Sequence, residues 1–178
     1  MKPIKHVIII IVDSVRSYRT GVDDRDRLDF MDEFKTESIE FTNAFTSAPS
    51  SVMSAAAMFT GLHSAFVSRN YNDWEFDNSS IRSIQNTLKE NGFNIYSIDN
   101  SKVGREVKKD LILPLPNSWF PPGISHGKFW TNLEVTNILR HVLKRCDTTQ
   151  PSFFMLWYDC RDDPNTSSAV KNAVASFK

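Results

Sequence analysis

Two residues stand where side-chain type and position could do chemistry. Asp13 follows the aliphatic run His6-Val-Ile-Ile-Ile-Ile-Val12, and Ser51 follows Thr46-Ser-Ala-Pro-Ser50 just ahead of an alanine-rich stretch. A carboxylate at a strand end can hold a divalent cation. A serine hydroxyl beside that cation can lose its proton and attack phosphorus or sulfur. Spacing alone leaves a plainer alternative for each, with Asp13 as a turn acid and Ser51 as a helix cap. Other chemistries find less support. Cys146 and Cys160 make neither a disulfide framework nor a zinc spacing. None of His6, His63, His126 and His141 has ligand spacing with another. No glycine-rich phosphate loop is present, and Asp23-Asp-Arg-Asp26 lacks the spacing of a calcium-binding EF-hand loop.

The elements that must position these two residues follow from the apolar pattern. His6 to Val12 is a continuous β-branched run, the signature of a parallel strand buried on both faces. Asp13 then falls at the carboxyl edge of a central strand, where open α/β sheets place ligands. Asp29 to Ser38 predicts a modest helix, and Ile39 to Phe45 alternates as a short strand would. Ala55 to Thr60 favours a helix that Gly61 can end, which puts Ser51 at or near the N-terminus, where backbone N–H groups suit an anion. Ile81, Ile84 and Leu88 share a helix face ahead of Gly92, and Phe93 to Ile98 reads as a strand. A proline-rich stretch over 110–129 reads as surface loop. Thr131 with Glu134 forms a capping box for a helix whose apolar side is Leu133, Ile138, Leu139, Val142 and Leu143. Ser152 to Tyr158 is a further apolar strand ending in an acid, Asp159, and a last helix follows Pro164. The expected fold is α/β, with a mostly parallel central sheet and helices on both faces.

The bulk numbers agree with one core. A chain of 178 residues with 40% hydrophobic and 24% charged residues can bury roughly 70% of its unfolded surface, which disfavours disorder or a staple-dependent miniprotein. Twenty-one basic residues balance 21 acidic ones, so nothing in bulk charge points to nucleic acid. The densest basic stretch, Lys102 to Lys109, also carries Glu106 and reads as a solvated helix face. The longest aliphatic run, Val7 to Val12, is too short to span a membrane and no small-residue cleavage site follows it. A cytoplasmic setting is the expectation.

His6-Val-Ile-Ile-Ile-Ile-Val-Asp-Ser-Val-Arg16 resembles the opening of the sulfatase and alkaline-phosphatase-like superfamily, where a hydrophobic strand runs into a metal-binding aspartate. Phe41-Thr-Asn-Ala-Phe-Thr-Ser-Ala-Pro-Ser-Ser-Val-Met-Ser-Ala-Ala-Ala-Met-Phe-Thr-Gly61 is similar to the family's nucleophile segment. Counting back from Thr60-Gly61 sets Ser51 on the nucleophile position. Leu88-Lys-Glu-Asn-Gly-Phe93 and Pro151-Ser-Phe-Phe-Met-Leu-Trp-Tyr158 resemble later steps of the same pattern. The resemblance implies an alkaline-phosphatase-like fold and a metal-dependent hydrolase or transferase acting on a small phosphate or sulfate ester. It makes Ser51 the nucleophile and Asp13 the ligand of a divalent metal, with calcium, zinc, manganese and magnesium all used by relatives.

Departures from the pattern narrow this. Met53 and Ala55 stand where formylglycine-forming sulfatases carry proline and arginine, so no formylglycine is expected. Asp162 stands in Asp159-Cys-Arg-Asp-Asp-Pro164 where the family commonly has histidine. Family members are usually more than twice this length and take their remaining metal ligands from the second half. Residues 1–178 are therefore expected to form a single α/β domain, the N-terminal part of a larger catalytic domain, with an incomplete site and little activity in isolation. The missing half, or self-association, is the expected partner. Weaker candidates for touching the substrate or supporting the ligands are Ser14, Arg16, Asn100, Lys102 and Asp159. The rival reading is a non-catalytic relative that keeps the fold as a binding or structural domain.

Overall fold

The computed structural model describes residues 5–15, 29–67, 81–99, 115, 117–122, 124, 130–147, 149–159 and 165–177. In chain order the elements are β1 (His6–Asp13), α1 (Asp29–Lys35), α2 (Ser51–Thr60), α3 (Ser64–Val67), α4 (Ile84–Glu90), β2 (Asn94–Asp99), a 3-10 turn (Asn117–Trp119), α5 (Asn132–Leu143), β3 (Ser152–Asp159) and α6 (Thr166–Ala175). The three strands form one sheet in the order β1-β3-β2, parallel throughout. β3 is central, and its register places His6 beside Ser152 and Asp13 beside Asp159.

Helices cover both faces of this sheet, as the apolar runs require. Phe154, Leu156 and Tyr158 of β3 face Val135, Ile138, Leu139 and Val142 of α5 and Ala169, Val170 and Ala173 of α6. Phe153, Met155 and Trp157 face Val52, Ala55, Ala56 and Phe59 of α2. Ser152 to Tyr158 are all buried. Complete burial of each large apolar side chain is worth about 1.5–3 kcal/mol, so β3 is the main anchor of the fold. The capping box on α5 forms as expected, with the Thr131 side chain accepting from the Glu134 N–H and the Glu134 carboxylate accepting from the Thr131 N–H.

Several expectations are corrected. Ile39 to Phe45 is not a strand. Ile39, Phe41 and Phe45 are 84%, 81% and 90% exposed, and alternation without a neighbouring strand leaves the backbone with no ladder to join. α1 ends at Lys35, short of Ser38. On α4 the buried position is Gln85, while Ile84 is exposed. The Gln85 Oε1 accepts from the buried Ser97 hydroxyl of β2, a polar contact that apolar periodicity cannot report. Leu133 is also half-exposed, and Val135 takes the inward position on α5 instead.

Tyr158 carries a pH dependence. Its phenol shares a hydrogen bond with Thr136 at 3.1 Å. Burial pushes its pKa from 10.0 up to about 12, and the Thr136 bond offsets only part of that rise. The folded state therefore holds this proton more tightly than the unfolded chain does. Its contribution is fully present below about pH 10 and is lost as pH climbs through about 12. Tyr96 shifts in the same direction, chiefly through burial, so the test is a difference measurement. Urea denaturation across pH 9 to 12 should show a shallower alkaline loss of stability in Tyr158→Phe than in the parent. An identical slope in both would contradict this.

Candidate active site

Asp13 and Ser51, 38 residues apart in sequence, meet at the carboxyl edge of the sheet. The Ser51 hydroxyl donates to the Asp13 carboxylate, with Oγ 3.2 Å from Oδ1 and 3.1 Å from Oδ2. Both residues are partly buried. Asp13 also accepts the backbone N–H of Ser14 at 2.8 Å. Ser14 adopts φ 65°, the left-handed region that L-residues other than glycine seldom occupy. That turn breaks the strand immediately after Asp13 and aims the Ser14 N–H back at the carboxylate. Ser14 thus joins the site through its backbone.

The loop ahead of α2 is held by hydroxyls. Ser50, not Ser51, is the helix N-cap and accepts from the Met53 N–H. The Thr46 and Ser54 hydroxyls lie 2.7 Å apart, and each donates to the Ala48 carbonyl. Ser64 donates to the Ser47 carbonyl at 2.7 Å. Gly61, at φ 70°, closes the other end of α2 with its N–H on the Ala57 carbonyl. Ser51 is left in the first turn of a ten-residue helix with no acidic residue in that turn, at the positive end of the helix dipole. The plain-cap alternative for Ser51 is removed, because Ser50 fills that role.

Asp159 lies in register beside Asp13 on the adjacent strand. A buried clamp fixes it there. Asn132, fully buried at the start of α5, donates from Nδ2 to the Asp159 carbonyl at 2.6 Å and accepts the Asp159 N–H on Oδ1 at 3.1 Å. The same Nδ2 lies 2.7 Å from the Thr166 hydroxyl. Asp99 pairs with Trp157, two residues short of Asp159. The three strand-end acids are therefore strung along the sheet edge at the strand spacing rather than gathered around one point. Among the described residues no group of three or more His, Cys, Asp and Glu could hold a metal ion. Arg16, Asn100, Lys102 and Asp162 lie outside the described residues. Asn132 and Thr166 escaped the sequence reading. The only hint of the clamp was a polar residue next to the capping box.

The segment containing both site residues carries the deciding comparison. The family model for sulfatases matches residues 5–109, from β1 through the Ser51 loop and β2. The chain belongs to the sulfatase family. No curated protein matches it. In this sulfatase-family chain the matched span holds the whole Asp13–Ser51 pair, while β3 and its Asn132 clamp lie beyond the match. The parallel sheet covered on both faces agrees with the alkaline-phosphatase-like architecture. No helix among the described residues is long and apolar enough to cross a membrane.

Sulfatase-family domains generally use a divalent metal. Asp13 is chemically suited to one corner of such a site, a carboxylate with hard oxygen donors at a strand end beside a hydroxyl. The remaining corners are not supplied by the described residues.

Proposed function

We propose that the chain carries the nucleophile half of a metal-dependent hydrolase or transferase acting on small phosphate or sulfate esters. Ser51 is the nucleophile and Asp13 is its orienting carboxylate and a metal ligand. The observation that supports this most directly is the Ser51 hydroxyl bonded to both Asp13 oxygens at the head of α2.

The chain's own residues account for the following chemistry. Ser51 Oγ attacks the phosphorus or sulfur of the ester in line with the leaving group. The new Oγ–P or Oγ–S bond forms as the bond to the ester oxygen breaks, the Ser51 proton passes along its hydrogen bond to Asp13, and the leaving alkoxide takes a proton from solvent to depart as the alcohol. Negative charge on the equatorial oxygens meets the first-turn N–H groups of α2. Water or an acceptor alcohol then takes the group from Ser51. A bound divalent cation would add positive charge beside the attacking oxygen. Asp13 would hold that cation together with ligands from outside the described residues. Met53 and Ala55 replace the proline and arginine of the formylglycine motif, so the nucleophile is the unmodified hydroxyl. Ser14 holds Asp13 in place, and the Asn132 clamp holds the adjoining strand end.

Release of nitrophenol from an aryl phosphate and an aryl sulfate, by the natural full-length protein with and without Mn²⁺ or Ca²⁺, tests the reading. Cation-dependent release from either ester supports it. Failure with both, across several cations, favours the non-catalytic relative.

A further inference from the structure

Ser51 owes its place to the loop ahead of it, residues 46–50, which belongs to no strand or helix. Side-chain hydroxyls take up the carbonyls of that loop in turn. The Ser47 carbonyl accepts from Ser64 at 2.7 Å, and the Ala48 carbonyl accepts within a ring closed by Thr46 and Ser54. The Ala48 N–H donates to the Thr46 hydroxyl at 3.3 Å, so the same ring holds both backbone groups of Ala48. Pro49 follows, with a fixed φ and no N–H to place. The Ser50 carbonyl then accepts the Ser54 N–H at 3.0 Å as α2 begins.

Ser64 is the member of this set that comes from outside the nucleophile segment. It opens α3 and is 4% exposed. A buried hydroxyl costs free energy unless it is bonded, and this one meets a carbonyl 17 residues back in the chain. The turn that delivers it is well specified. Gly61 at φ 70° reverses the chain after α2, and His63 accepts the Ala65 N–H on Nδ1 and the Phe66 N–H on its carbonyl. The loop is therefore gripped from two sides, by α2 through Ser54 and by α3 through Ser64.

We propose that Thr46 and Ser64 are positioning residues for the nucleophile, acting on Ser51 through the loop they hold. The inference rests on the reading of Ser51 as that nucleophile. Ser51 Oγ lies 3.1 and 3.2 Å from the two Asp13 oxygens, long for a hydroxyl on a carboxylate. A small movement of the loop separates the two groups, and misplacing a reacting group by about 1 Å can cost about 10²-fold in rate. The hydrogen bonds of Thr46 and Ser64 go to the loop, so their loss acts on kcat rather than on ester binding.

Hydrogen exchange and steady-state kinetics on the natural full-length protein test the grip and its consequence separately. Ser64→Ala and the nearly isosteric Thr46→Val should each speed amide exchange across residues 47–54. Each should also lower kcat about tenfold while KM stays within about twofold of the parent. Thr46→Ser keeps the hydroxyl and should match the parent in both readouts. Thr36→Val removes a hydroxyl of the same kind, bonded to the Glu33 carbonyl at the end of α1, and should alter neither. Unchanged exchange across 47–54 in both variants, or faster exchange at the parent's kcat, would overturn the proposal. Ser51→Ala distinguishes that failure from failure of the wider reading. An inactive parent, or turnover that survives Ser51→Ala, removes the nucleophile assignment and this proposal with it. Turnover lost in Ser51→Ala but undiminished in Ser64→Ala and Thr46→Val removes the positioning role alone.

Discussion

Replacing Ser51 with alanine in the natural full-length protein should lower kcat for ester turnover by about 10⁴-fold or more, the scale on which removal of a serine nucleophile acts in hydrolases. Stability should fall by about 1 kcal/mol at most. The substitution removes one hydrogen bond of a half-buried hydroxyl, and alanine is a good helix former at that position. The two readouts separate a nucleophile from a structural serine. Ser50 already caps α2 through the Met53 N–H, so a merely structural Ser51 would cost a little stability and no turnover. Steady-state kinetics and urea denaturation on the same variant decide between them. Turnover at the parent's level in Ser51→Ala would remove Ser51 from the chemistry.

The second large effect is on the fold. Asn132→Ala should cost about 2–4 kcal/mol in urea denaturation. Asn132 is fully buried and makes three short contacts, with the Asp159 carbonyl, the Asp159 N–H and the Thr166 hydroxyl. Each such bond is worth about 1 kcal/mol net, and the Asp159 N–H would lose this buried acceptor. Leu133→Ala, one residue further along α5, provides the control. Leu133 is 48% exposed, and its truncation should cost under about 1 kcal/mol. Hydropathy alone predicts the opposite order. A loss in Leu133→Ala as large as in Asn132→Ala would contradict the clamp.

That contrast shows where sequence reasoning reached and where it stopped. The strands of the sheet were legible because Val7 to Val12 and Ser152 to Tyr158 are continuous apolar runs, which only a strand covered on both faces accommodates economically. Asp13 and Ser51 were legible because one ends such a run and the other precedes a helix with a clear stop at Gly61. Their contact was not. Nothing in a one-dimensional pattern brings residue 13 to residue 51, and only the resemblance to the sulfatase family suggested it. Asn132 and Gln85 were missed because a buried amide is justified by partners distant in sequence, Asp159 for one and Ser97 for the other. The strand expected over Ile39 to Phe45 failed for a related reason. Its alternating pattern supplies a face, but a strand also needs a neighbour along its edge, and none is present there among the described residues. Among the described residues β1 shows the same gap from the other side, with a central strand's composition and β3 as its one neighbouring strand.

The most direct test of the central claim, that Ser51 is the group Asp13 readies for attack, is peptide mapping of the natural full-length protein quenched during turnover of an aryl phosphate or aryl sulfate. The phosphoryl or sulfuryl group should appear on the peptide containing Ser51 and vanish from that peptide in both Ser51→Ala and Asp13→Asn. Label on a different residue while turnover proceeds, or undiminished labelling of Ser51 in Asp13→Asn, would contradict the account.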